Sequence, residues 1–256
     1  MKTALFVPCY VDQFFPHVAI AALTVLDRLG VRVDVPEGAA CCGQPSANAG
    51  YAREGHSTLD RFVDVYAEYD RVVVLSGSCA VHVKLHAGEV VAHGGKTDSA
   101  GARVAERATE FCTFLHDDVG VASLAALDAQ FKEKVAVHIG CHGLRGLGMA
   151  KPSELRIQPF DKVRAILGAV QGLELVELSR PDECCGFGGT FAVAEPDVST
   201  KMGRDRLRDY RKHEATAVVS PDMSCLMHLQ GLARREQTGL PMYHVAEVLA
   251  GTASRT

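Results

Sequence analysis

The sequence predicts an α/β protein made of two pseudo-repeated βαβ-type halves with largely parallel sheets. Three observations carry this. Four short, largely apolar runs, at residues 4–7, 72–75, 135–139 and 217–219, with His138 the one polar residue among them, have the length and composition of strands buried on both faces. Stretches with helical period, at residues 18–29 and 198–210, lie between them, and alternation of strand with helix implies parallel sheets. Eight of the nine cysteines form two sets of four in the same order.

Taken along the chain, the first strand ends just before Cys9, and the helical stretch at 18–29 follows. The adjacent pair Cys41 and Cys42 comes next, then Gly43, then the second strand at 72–75 and Cys79. A helix is expected over 102–115, and a further helical stretch over 121–134. The pattern then restarts: a strand, Cys141, the pair Cys184 and Cys185, Gly186, the helical stretch at 198–210, a strand, and Cys225. A last strand and helix fall at about 242–250. The cut lies within 120–132, giving halves of 1–125 and 126–256. Cys112, between Phe111 and Phe114, belongs to neither set and is expected in a helix-packing core.

Composition narrows the function. The 256 residues suffice for one large domain or two small ones, and 47% apolar with 23% charged is the balance of an ordinary folded protein. Lys and Arg number 27 against 31 Asp and Glu, a net charge of −4 with no basic run, which argues against nucleic acid as a partner. The start, MKTALFVPCY, is too short in apolar residues for a signal-peptide core, and the longest apolar stretch, 18–26, is far short of a membrane span. A cytoplasmic protein is expected, and in a reducing compartment nine cysteines point to metal or redox chemistry rather than structural disulfides.

In an open α/β sheet, ligands bind beyond the carboxyl ends of the strands, where these cysteines fall. Four thiolates per half is the ligand count of an iron–sulfur cluster and equally of a structural zinc site. The candidate metal ligands are therefore Cys9, Cys41, Cys42 and Cys79 in one half and Cys141, Cys184, Cys185 and Cys225 in the other. Gly43 and Gly186 are the cofactor-contacting positions, because a residue without Cβ lets the backbone turn tightly against a bulky group. Such a turn also aims amide donors at the sulfurs. Three other readings stand beside this one: a vicinal thiol–disulfide couple at an adjacent pair, a Cys–His couple built from Cys141 with His138 or His142, and buried cysteines that only pack. No nucleotide-phosphate motif and no flavin or nicotinamide motif is present.

The segments ALFVPCYVDQFFPHVA, AACCGQPSANAGY, VVVLSGSCA, GCHGLRGLG, ECCGFGGTFAV and SPDMSCLMHLQG resemble the cysteine-rich CCG domain of the heterodisulfide reductase B subunit and glycolate oxidase iron–sulfur subunit superfamily. Within it the sequence is most similar to the lactate utilization protein A family. The resemblance implies an iron–sulfur oxidoreductase subunit that works with lactate utilization proteins B and C in oxidising L-lactate to pyruvate, with one or two clusters, [4Fe–4S] being the form four thiolates favour. It leaves room for zinc in one half, for glycolate or another 2-hydroxy acid as substrate, and for a zinc-stabilised scaffold. In the heterodisulfide reductase B subunit each motif ends in Cys-x-x-Cys and five cysteines hold a noncubane cluster. Here the position three before the last cysteine is Ser76 in the first half and Asp222 in the second, leaving an oxygen ligand from Asp222, or more weakly from Ser76, as the substitute for the fifth sulfur. A substrate carboxylate meeting such a centre needs a cation, for which Arg145 is the first candidate, with His142 and His138 as proton carriers.

Overall fold

A computed structural model describes residues 1–38, 41–93 and 99–253. Ala39 and Ala40, which begin the AACCG segment, and the last three residues lie outside the described residues. The chain forms two four-stranded sheets, every pairing parallel.

The first sheet comprises β1 (Thr3–Phe6), β2 (Val33–Asp34), β3 (Arg71–Val74) and β4 (Ala108–Glu110), in the order β2-β1-β3-β4. Its helices are α1 (Cys9–Phe14), α2 (Pro16–Arg28), α3 (Gln44–Asn48), α4 (Ala52–Tyr66), α5 (Gly77–His93), α6 (Ser99–Arg107) and α7 (Phe111–Phe114). The second sheet repeats the order as β6-β5-β7-β8, from β5 (Lys134–Val137), β6 (Glu174–Leu175), β7 (Ala217–Ser220) and β8 (Met242–His244). With it come α8 (Lys162–Leu167), α9 (Phe191–Ala194), α10 (Pro196–Lys212), α11 (Met223–Arg235) and α12 (Val245–Ala250). The expected fold class is the observed one. Among the described residues no helix is long and apolar enough to cross a membrane.

Alternation along the strands sorts the first sheet into two cores. Ala4, Phe6, Val72 and Val74 face Leu59, Phe62, Tyr66 and Val104 in a core private to the first half. Leu5, Val73 and Leu75 face the other way, into a larger core shared with Val135, Val137 and Val219 of the second sheet. The halves interlock reciprocally. The last helix of the second half, α12, packs on α2 of the first, where Arg28 donates to the Ala250 carbonyl at 3.2 Å; α7 of the first half packs on α8 of the second.

Two expected elements differ. The helix expected over 102–115 is divided, because Ala108–Glu110 leave helical geometry to pair with the edge of β3, and the Glu110 carboxylate then caps α7 by accepting the Thr113 N–H at 2.9 Å. The stretch 121–134 is helical only as a 3₁₀ segment, Val121–Leu127, and stops at Asp128, which takes a left-handed conformation. Both sit at the junction of the halves, where tertiary pairing overrides local periodicity.

Candidate metal centres

Each half gathers its four cysteines from the same three places. The first cysteine begins the turn after the leading strand, Cys9 opening α1 and Cys141 opening a π-helical turn, His142–Gly146. The adjacent pair sits in the loop ahead of the long helix, and the fourth, Cys79 or Cys225, lies in the first turn of α5 or α11. All three places are at the carboxyl edge of the sheet, as expected. In each half two sulfurs are inward and two outward: Cys42, Cys79, Cys185 and Cys225 are buried, Cys9, Cys41 and Cys184 half-buried, and Cys141 exposed.

The sulfurs touch. Cys9 Sγ lies 3.8 Å from Cys41 Sγ. Thiol hydrogen bonds from Cys42 and Cys9 lower Cys41 to about 2, and bonds from Cys141 and Cys185 lower Cys184 to about 2. Their partners move the other way: the bond to Cys41, with burial, pushes Cys9 up, and the bonds to Cys184 and Cys225 push Cys185 up. Each half thus strings its sulfurs into a series of pairwise contacts, Cys9–Cys41–Cys42–Cys79 and Cys141–Cys184–Cys185–Cys225, a donor set that a metal ion would organise by displacing the shared protons.

Gly43 and Gly186 are what let the pair come this close. Both have φ of +90°, and a Cβ there would fall 2.4 Å from the Gly55 carbonyl oxygen and 2.5 Å from the Ser199 carbonyl oxygen respectively. The same conformation turns each glycine N–H onto a sulfur, Gly43 to Cys41 at 3.4 Å and Gly186 to Cys184 at 3.3 Å; Phe187 N–H adds a bond to Cys185 at 3.4 Å. Backbone donors aimed at sulfur fit an anionic, thiolate-bound centre.

Asp222 does not point at either set of sulfurs as a bare oxygen. Its Oδ2 accepts Ser76 Oγ–H and the Ser78 N–H, each at 3.1 Å, and its Oδ1 accepts from Tyr10 at 3.2 Å, Ser224 N–H at 2.9 Å and Ser224 Oγ–H at 2.6 Å. It caps α11 and at the same time ties the second half to the first.

Arg145 is exposed, and its guanidinium forms a two-pronged pair with Glu154 at 2.7 and 3.0 Å and reaches Asp182 at 3.4 Å. His142 Nδ1 lies 4.0 Å from Cys141 Sγ. Burial lowers His82 of α5 to about 4, with His86 stacked 4.9 Å away and His142 of the other half adding to the effect. A surface hollow of about 740 Å³ lies at the opposite, amino end of the second sheet, lined by Thr216, Gly239 and Pro241.

The second half contains a feature the first lacks. His138 is 1% exposed, shares a hydrogen bond between its Nδ1 and Tyr210 Oη at 2.9 Å, and leaves its Nε2 without a partner. Its ring nitrogen and the sulfurs of Cys185 and Cys225 lie within 4.8 Å of one another. Burial, reinforced by Arg206, lowers it to about 3. The sequence offers His138 as the polar end of an apolar strand and as a candidate partner of Cys141 or proton carrier; that Tyr210 and Arg206 stand behind it follows from their shared face on α10, one turn apart.

Two sulfur-lined sites on a duplicated parallel scaffold define a cysteine-rich α/β protein, and the comparisons agree. The CCG cysteine-rich domain matches the chain twice, at residues 3–84 and 135–230. The chain is 34% identical over 250 residues to lactate utilization protein A 2 of Bacillus cereus (strain AH820), covering 98% of each. It is 33% identical, at the same coverage, to lactate utilization protein A 1 of Bacillus anthracis (strain CDC 684 / NRRL 3495). With lactate utilization protein A of Geobacillus kaustophilus (strain HTA426) it shares 36% over 97% of this chain and 98% of that one. The chain belongs to the lactate utilization protein A family.

Proposed function

We propose that the chain is the iron–sulfur subunit of a multi-protein system that oxidises L-lactate to pyruvate. The observation that carries this is the recurrence of a four-cysteine site in each half, each served by a glycine N–H that a side chain would displace. Cys9, Cys41, Cys42 and Cys79 hold one centre and Cys141, Cys184, Cys185 and Cys225 the other. The names of the relatives supply the substrate, and lactate utilization proteins B and C are the proposed partners. Oxidation of lactate to pyruvate releases two electrons and two protons, and a cysteine-bound iron–sulfur centre supplies one-electron carriage.

The chain's own residues bring three things to this. Outward sulfurs at Cys9, Cys41, Cys141 and Cys184 place each centre at the surface, within reach of a partner's donor or acceptor. Backbone N–H groups stabilise the added negative charge of the reduced state. His142 sits beside Cys141 as a group able to take up a proton, and Arg145 engages a substrate carboxylate by exchanging Glu154 for it.

The deciding measurement is iron, acid-labile sulfide and zinc per chain on anaerobically purified protein, with electron paramagnetic resonance of both redox states. About four or eight irons with matching sulfide are expected for one or two centres on four thiolates. Zinc without sulfide overturns the electron-transfer reading in favour of a zinc-stabilised scaffold. Reduction of the loaded chain by glycolate but not lactate, in the presence of its partners, reassigns the substrate.

A further inference from the structure

The two sites are not equivalent, and the difference lies directly behind the sulfurs. Phe6 and His138 hold the same place, each three residues before the first cysteine of its set. On the facing helices, the residue whose carbonyl oxygen crowds the CCG glycine is Gly55 in α4 and Ser199 in α10. Counting from these, Phe62 matches Arg206 and Tyr66 matches Tyr210. In the first half the three side chains form an aromatic cluster, Phe6 edge-on to Phe62 at 4.9 Å and to Tyr66 at 6.0 Å. In the second half the same three places hold His138, Arg206 and Tyr210, hydrogen-bonded in series.

That series has a direction. Arg206, 0% exposed, is a donor at every nitrogen, and its Nε–H donates to Tyr210 Oη at 3.4 Å while its charge is met by Asp209 at 3.3 Å. Tyr210 therefore has its own hydroxyl proton to give, and it gives it to His138 Nδ1 at 2.9 Å. A neutral imidazole that accepts at Nδ1 carries its proton on Nε2. Nε2 is the buried ring atom with no partner in the protein, and a ring nitrogen of His138 lies within 4.8 Å of the Cys185 and Cys225 sulfurs. The opposite tautomer would leave the Tyr210 proton without an acceptor.

The geometry points to His138 as a positioned hydrogen-bond donor to the sulfur ligands of the second centre, making that centre the more easily reduced of the two. This rests on the reading that both halves hold an iron–sulfur centre. An N–H dipole directed at a thiolate sulfur stabilises the extra negative charge of the reduced state, and such bonds are among the determinants of cluster potential. Phe6 supplies no such dipole to the first centre. Electrons entering the first centre then run downhill to the second.

The test is a redox titration of the anaerobically loaded full chain, followed by electron paramagnetic resonance, for the wild type, His138→Phe and Tyr210→Phe, with Cys41→Ser to identify the first centre's signal. His138→Phe installs the residue the first half already uses. Its expected effect is a fall in the second centre's potential by about tenfold in the reduction equilibrium, ~59 mV for one electron, with the first centre and the iron content unchanged. Tyr210→Phe shifts it in the same direction by less. Nitrogen-15 resonances of the metal-free chain are expected to show His138 as the Nε2–H tautomer. Unchanged potential with full iron overturns the assignment, as does a nitrogen coupling large enough for direct iron ligation, which would make His138 a ligand. Iron missing from the second half of the wild type overturns the two-centre reading and this assignment with it, whereas a full second centre with unchanged potential overturns this assignment alone.

Discussion

Ser76 Oγ–H donates to Asp222 Oδ2 at 3.1 Å, across 146 residues of chain. These are the two positions where the heterodisulfide reductase B subunit pattern places a further cysteine, and here they bond to each other at the junction of the halves. Asp222 collects five donors in all, from Tyr10, Ser76, Ser78 and Ser224. Asp222→Ala is expected to strip the cap from α11 and leave buried donors without an acceptor, costing about 3–5 kcal/mol, with Asp222→Asn milder. Urea unfolding of the metal-free variants measures this; a loss below about 1 kcal/mol would show that water replaces the carboxylate.

The two CCG glycines are expected to be intolerant of a methyl group. Gly186→Ala places a Cβ 2.5 Å from the Ser199 oxygen and 2.8 Å from Met202 Cβ, at a φ of +90°. Gly30, with φ of +72° and nothing within 4 Å, isolates the backbone effect. Gly30→Ala should cost about 1 kcal/mol, and Gly186→Ala or Gly43→Ala at least about 3 kcal/mol together with metal binding in the affected half. Thermal unfolding and metal analysis of the three variants make the comparison.

His244 sets a pH dependence. It is fully buried, donates from Nε2 to the Pro221 carbonyl at 2.9 Å, accepts the Ala246 N–H at Nδ1 at 3.1 Å, and is lowered by burial to about 4. Its ordinary value is 6.5. Between these values the unfolded chain binds the extra proton, so this contribution to stability is complete above about 6.5 and is lost progressively as pH falls toward 4, by about 3 kcal/mol. His244→Asn keeps a capping oxygen and removes the ring. It is expected to flatten the stability profile over that window, and a profile parallel to the wild type would count against the assignment.

Arg145→Ala tests the carboxylate clamp. Its pair with Glu154 is solvent-exposed, so losing it should change stability by less than about 1 kcal/mol. A rise in KM for lactate in the reconstituted system, with unchanged metal content, is the expected outcome. Normal lactate oxidation removes Arg145 from the site.

The framework of this molecule was readable because its central strands are buried on both faces. Residues 4–7, 72–75, 135–139 and 217–219 are apolar but for His138, and β1, β3, β5 and β7 lie on them. β2 and β6, with two residues each, carry too little pattern to be seen, and β4 hides inside a helical period because Ala108 and Glu110 are buried by pairing rather than by periodicity. The cysteines declared themselves by repetition. The polar trio behind the second site did not, since a buried Arg206 in a helix rich in Arg and Lys looks like one more solvated charge until the fold turns it inward.

The reciprocal packing of α12 on α2 orders events during synthesis. Val18, Ala22, Val25 and Leu26 of α2 are fully buried in the finished chain, and Arg28 and His17 are joined to Ala250 and Glu247 of α12, at 3.2 and 3.6 Å. An emerging N-terminal half therefore leaves the ribosome without the α12 cover on α2, which arrives only once residue 250 has been made, roughly 10–50 s later at ordinary elongation rates. Over that interval the N-terminal half lacks the cover that α12 gives α2 in the finished fold, which is the condition holdase chaperones recognise.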